Sequence, residues 1–102
     1  MKKLLIIFIV ALLLLACGDL SGPFHVNYYD NGSTSGFAPV DKTEYSSGQS
    51  ATVLGQNTLQ KTGYTFGGWN TKKDNTGTHY NAGDKIKIEN KNIFLYAVWT
   101  QN

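Results

Sequence analysis

"TGYTFGGWNTKKDNTGTHYNAGD", Thr62 to Asp84, places four aromatic rings among five glycines and a run of small polar residues. Aromatics between glycines suit two ends, a ligand platform or the closure of a core that has few other large side chains. Size decides between them. A domain of about 80 residues keeps only about 4–12 kcal/mol of net stability, and a buried Trp or Phe removes well over about 100 Å² from water. A fold this small cannot spare Phe66 and Trp69 for solvent, so both are expected in the core. The glycines Gly63, Gly67 and Gly68 then supply positive φ or close backbone approach, and Gly77 and Gly83 end turns. "DNTGT", Asp74 to Thr78, is a plain turn, because it lacks the repeated carboxylates and the distal Glu of an EF-hand calcium loop.

Outward from this stretch the chain reads as short strands between turns. "FHVNYY", Phe24 to Tyr29, alternates with a period of two and is stopped by "DNGSTSG". "QSATVL", Gln49 to Leu54, is rich in β-branched residues, and "GYTF", Gly63 to Phe66, and "DKIKIEN" read as further strands, the latter setting Ile86 and Ile88 against Lys85, Lys87 and Glu89. "NIFLYAVWT", Asn92 to Thr100, is apolar in both phases, as a central strand covered partly on each side would be. Between Gly55 and Gly63 the only large apolar residue is Leu59, and one or two helical turns are expected there. The domain is therefore mostly β, an α+β arrangement of about four strands with one short helical element.

The N-terminal end is a separate problem. Lys2 and Lys3 precede the unbroken apolar run Leu4 to Ala16, and Cys17 follows it. A positive start, an apolar core too short for a span of about 20 residues and a small residue before the cut describe a secretory signal peptide over residues 1–16. "LLAC", Leu14 to Cys17, resembles the lipobox of bacterial lipoproteins. That resemblance implies cleavage before Cys17 and acylation of its sulfur, the side chain whose thiolate character suits thioether formation. One acyl chain such as palmitate binds a membrane only marginally, and two or three hold it firmly. Cys17 is thus the expected lipidation site, with residues 17–23 a lipidated linker that spans only about 20 Å when extended.

Cleavage would leave 86 of the 102 residues, one domain over residues 24–102. No second cysteine remains to form a disulfide. Two of the nine lysines leave with the signal, so seven lysines face seven acids and there is no arginine. A phosphate-neutralising surface for nucleic acid finds no support in that balance. Lys72 and Lys73 are the one adjacent basic pair and read as a solvated turn. Catalysis finds no constellation either: His25 and His79 lie 54 residues apart, and "GQSAT" around Ser50 fails the nucleophile-elbow spacing at its last position. Two scattered histidines make no metal site without a third ligand. No enzyme, metal or cofactor is expected.

Taken together, "HVNYYDNGS", "GYTFGGWNTKKDNTGTHYNAGD" and "NIFLYAVWT" resemble, in order and spacing, the internalin B-type repeat, also called the Listeria-Bacteroides repeat. The residues that carry the resemblance are Val26, Tyr28, Asn31 and Gly32; Gly63, Tyr64, Phe66, Gly68 and Trp69; Gly77, Thr78 and Tyr80; and Leu95, Tyr96, Ala97 and Trp99. It implies a small β-grasp-like (ubiquitin-like) module without catalytic activity, of the kind used on bacterial surfaces as spacer or adhesive unit. One copy of the signature occurs here. The implied phase makes Val26, Tyr28, Tyr64, Phe66, Trp69, Leu95, Ala97 and Trp99 the structural core. It turns Phe94, Tyr96 and Val98 outward, and a first strand lying alongside adds His25, Asn27 and Tyr29 to that face. Tyr29, Phe94, Tyr96 and Val98 are accordingly the candidate partner-binding residues, for a protein or a glycan. Either such a partner covers the face or the chain's own loop from Ser33 to Ser47 does. The functional expectation is a lipid-anchored, extracytoplasmic binding or adhesion module, periplasmic or on the cell surface. The alternative is a structural or accessory envelope lipoprotein with no dedicated ligand.

Overall fold

Glycine and asparagine turns cut the chain into segments too short for helices and long enough for strands, and the alternation within each segment decides which side is buried. A computed structural model describes residues 22–102; the signal segment 1–16 and Cys17 lie outside the described residues. Six strands form: β1 (Val26–Tyr29), β2 (Ser50–Thr52), β3 (Tyr64–Asn70), β4 (His79–Tyr80), β5 (Lys85–Lys87) and β6 (Ile93–Gln101). They make a four-stranded sheet in the order β1-β6-β3-β4 and a two-stranded sheet of β2 and β5.

β6 is central, as its two apolar phases require. On one side it pairs in parallel with β1, Val26 opposite Ile93 and Tyr29 opposite Tyr96. On the other it pairs antiparallel with β3, from Tyr64 opposite Gln101 to Asn70 opposite Tyr96. The inner face of this sheet supplies Val26, Tyr28, Trp69, Leu95 and Ala97, which pack with Ala51, Val53, Ile86, Ile88 and Leu59 from the second layer. Each of these side chains is almost wholly removed from water, a non-directional stabilisation of about 1.5–3 kcal/mol for each large aliphatic one.

Directional bonds tie the two layers together. The Trp69 indole donates its Nε1–H to the Leu54 carbonyl at 2.9 Å. The Leu54 N–H in turn donates to the Tyr28 hydroxyl at 3.0 Å. Tyr28 and Trp69 meet edge to face, with ring centroids 4.8 Å apart, a geometry that the ring quadrupoles favour. Burial pushes the Tyr28 phenol above its ordinary pKa of 10.0, which keeps it a neutral acceptor.

Three expectations require correction. No helix occurs among the described residues, and the segment expected to hold one is two turns around the Ser35–Gln60 bridge. Asn57 has φ 58°, a left-handed conformation that interrupts a helix, and its side chain donates to the Phe37 carbonyl at 2.9 Å. Second, six strands replace about four: Tyr64–Asn70 forms the full strand β3, and His79 and Tyr80, read as part of a turn, pair with Asn70 and Trp69 as β4. Third, not all of the expected core is fully buried. Phe66 and Trp99 are half-buried at its margin. Tyr64 is half-buried and outside the cluster, since its rung, opposite Gln101, is the last of the sheet.

The paired glycines of the opening stretch make a bulge. The register between β3 and β6 shifts between Phe66 and Trp69, and Gly68 sits at φ 103°. Without that extra residue Phe66 and Trp69 would face opposite sides of the sheet. With it both reach the core, 5.2 Å apart edge to face.

Candidate functional site

Alternation along β1 and β6 sends every second side chain away from the core. One rung of the outer face runs Tyr29, Tyr96, Asn70, His79 across β1, β6, β3 and β4. Tyr29 and Tyr96 stack with centroids 5.2 Å apart and planes 21° from parallel. Tyr29 also stacks on Phe94, at 6.3 Å and the same angle. Tyr29 remains 43% exposed and Phe94 44%, while Tyr96 and Val98 are half-buried. Among the four proposed contact residues, the three aromatic ones are therefore one contiguous stack.

The loop from Ser33 to Ser47 passes beside Tyr29 and leaves Tyr29 and Phe94 exposed. It bonds through Ser35 to Gln60 and through Tyr45 to Phe24, and Pro39 to Asp41 line a hollow along β1 that Asn27 and Tyr29 share. Phe37 and Val40 of this loop are exposed. What approaches the outer face is the β3–β4 turn, and two asparagines hold it there. Asn70 is buried, and its Oδ1 accepts from the N–H of Lys72 and of Gly77, both at 2.9 Å. Its Nδ2 donates to Asn75 Oδ1 at 3.1 Å. Asn31, in the left-handed region at φ 47°, donates from Nδ2 to the carbonyls of Lys73 and Ala97, each at 3.0 Å. Gly77 is required at its place because a Cβ there would strike Thr71 and Lys72.

Asn70→Ala is expected to cost about 0.5–1.5 kcal/mol, since it removes the acceptor of the Lys72 and Gly77 N–H groups. Chemical denaturation measures the loss, and raised amide exchange confined to Lys72–Gly77 would localise it. Asn70→Asp preserves the acceptor but sets a carboxylate oxygen against Asn75 Oδ1, and should recover only part of the stability.

Turn and sheet together enclose an open cleft of about 270 Å³, walled by Lys61, Lys72, Lys73 and Asp74 and floored by Val98 and Trp99. The Trp99 indole donates to the Asp30 carbonyl at 3.0 Å, which fixes the end of β1 against β6. Hydrogen bonding from the Thr76 hydroxyl, with a smaller opposing effect of desolvation and further help from the Thr76 N–H and nearby Lys72, holds the Asp74 carboxyl below its ordinary 3.8. It is thus a carboxylate at neutral pH. Lys61 stands with Nζ 4.3 Å from the Tyr64 ring centroid. Its arrival beside Lys72 and Lys73 is not visible in the sequence, because only the fold brings those segments together.

The histidines do not meet. His25 precedes β1 at one edge of the sheet and His79 lies in β4 at the other, where its Nε2 is 3.0 Å from Asn81 Oδ1. Among the described residues no group of three His, Cys, Asp or Glu side chains is placed to hold a metal ion. No helix among them is long and apolar enough to cross a membrane.

The family model described as the Listeria-Bacteroides repeat domain matches residues 24–98. Two proteins of Evansella cellulosilytica are each 38% identical to the chain over 79 residues, 78% of its length. One is named "Putative membrane protein" and the other "Putative Gly-rich membrane protein". The chain spans only 12% and 9% of their respective lengths. No solved structure matches it.

Proposed function

The chain belongs to the Listeria-Bacteroides repeat domain family, and we propose that it is a bacterial envelope protein that presents this repeat as a non-catalytic binding module. The observation that carries the reading is the outer stack of Tyr29, Phe94 and Tyr96. A small domain that buries Trp69 and Leu59 completely leaves two large aromatic rings more than two-fifths exposed on one sheet face. Contiguous apolar surface of that kind marks contact sites on monomers, and Tyr is an efficient contact residue because its ring is large, rigid and amphipathic. A protein or a glycan is the partner proposed, with Val98 extending the contact.

Attachment is proposed through lipid on Cys17, with the domain outside the cytoplasm. The lipobox-like "LLAC" supports it, and the names of the two relatives agree with a membrane setting. The β-grasp outline is likewise a proposal, supported by the parallel pairing of β1 with β6; turns stand where the helix of that outline would lie.

The face is tested with Tyr29→Ser combined with Phe94→Ser, both at exposed positions. Retention of a purified envelope fraction on the immobilised protein is expected to fall at least tenfold, with the near-UV circular dichroism of the buried tryptophan preserved. Equal retention by a folded variant would leave the structural role, a lipoprotein without a ligand, as the better reading. For the anchor, Cys17→Ser should abolish incorporation of labelled palmitate and release the protein from membranes.

A further inference from the structure

The lysine cleft is unexplained by the aromatic face alone. Its three cations come from two distant places, Lys61 from the turn before β3 and Lys72 and Lys73 from the turn after it. All three backbones are fixed. Lys61 O accepts from the Tyr64 N–H at 2.9 Å, the Lys72 N–H is held by Asn70, and Lys73 O is held by Asn31. Like charges gathered on one open cleft repel one another unless a counter-charge sits among them. Within the cleft the only carboxylate is Asp74, and its Oδ1 is engaged by Thr76, with bonds of 3.2 Å from N–H and 2.6 Å from the hydroxyl. Three positive charges against one negative leave a cleft that attracts anions, with the amides of Asn31 and Asn75 on its wall.

We propose that this cleft is an oxyanion subsite that takes a phosphate or carboxylate group carried by the partner of the aromatic face. The inference rests on that face being a binding surface, which Val98 joins to the cleft: it lies two residues beyond Tyr96 on the same side of β6 and forms the cleft floor. Position separates a partner from the anchoring lipid as the source of the anion. β1 runs from Val26 towards Asn31, and at about 3.3 Å per residue the cleft lies roughly 20 Å from Phe24, at the pole opposite the N-terminal connection. The cleft therefore lies at the end of the sheet remote from the N-terminal connection. Lysine suits the task as a mobile point charge that accepts either oxyanion without a fixed geometry.

The test titrates the purified protein with sodium tripolyphosphate, with oligogalacturonate and with vesicles containing phosphatidylglycerol, while amide shifts are followed. Tripolyphosphate or oligogalacturonate is expected to shift Asn31, Lys61, Lys72–Asn75 and Val98, and the responding probe names the anion. K61Q/K72Q/K73Q should weaken that binding at least tenfold, and K85Q/K87Q, on β5, should leave it unchanged. Equal binding by the triple variant, or shifts scattered over all lysines, would overturn the subsite. Lysine-dependent binding to the vesicles alone would assign the cleft to lipid and overturn its link to the partner. The Tyr29→Ser/Phe94→Ser variant keeps the two ideas apart, because it should still bind the small anion. If tripolyphosphate and oligogalacturonate both fail while envelope retention still depends on Tyr29 and Phe94, the cleft is wrong and the face stands. If the anion binds but retention ignores the rings, the subsite exists without the partner proposed for it.

Discussion

Trp69→Ala is expected to remove about 3–5 kcal/mol of stability, against a total of about 4–12 kcal/mol for a domain of this size. The side chain is 0% exposed, so truncation opens a cavity that its neighbours can fill only partly. Two further losses come with it. The Leu54 carbonyl loses the indole donor it holds at 2.9 Å, and the edge-to-face contacts to Tyr28 and Phe66 vanish. A urea titration should show the midpoint falling steeply; a loss under about 1 kcal/mol would mean that Trp69 is not the keystone it is placed to be. Fluorescence supplies an independent check. In a Trp99→Phe background the remaining emission should be blue-shifted and resistant to iodide, and a red, quenchable band would contradict the burial.

Gly68→Val should be comparably damaging by a different route. A side chain at φ 103° is strained in any case, by about 1–3 kcal/mol. Its Cβ would also stand 2.8 Å from the Tyr80 carbonyl oxygen and 2.9 Å from His79 Nε2, so β4 must move away from β3. Melting temperature should fall by about 4–8 °C for each kcal/mol lost. Gly48→Ala is the control: its φ is also positive, but a Cβ there meets nothing within 4 Å. If both variants lose the same stability, backbone strain alone is responsible and the close approach of β4 is irrelevant.

Strands β1 and β6 of the large sheet are legible in the sequence because each is a continuous apolar or alternating run between turn residues. Alternation in β1 predicts the burial of Val26 and Tyr28, whereas β6 is apolar in both phases and the burial of Leu95 and Ala97 follows from the family resemblance. The 55–63 segment misleads because its glycines and Leu59 fit a short helix as well as two turns. A single helical turn gains one bond for three ordered residues, while here the side chains of Thr58 and Asn57 bond to the Phe37 N–H and carbonyl instead. β4 has only two residues, below what any periodicity can reveal. For the candidate face, Phe94, Tyr96 and Val98 follow from the phase that the family resemblance implies for β6, and Tyr29 from the placement of β1 alongside it that the same resemblance implies. The roles of Asn31 and Asn70 depend on contacts across 42 or more residues or on a turn folding back onto its own sheet, Lys61 meets Lys72 and Lys73 only through the fold, and no local pattern encodes them.

The parallel pairing of the first and last strands has a mechanical side. β1 enters the sheet at Val26, beside Ile93 at the start of β6, so the segment before β1 and the segment after β6 leave from opposite poles. Tension applied between residues 22 and 102 slides the two strands lengthwise past each other. Their bonds are evenly spaced along the pair and share such a load, whereas a strand peeled from one end gives up its bonds singly. The Trp99 bond to Asp30 and the Asn31 bond to Ala97 add two more ties across the same seam. Tension between the two chain ends is thus carried in shear, the direction in which the bonds between β1 and β6 share the load.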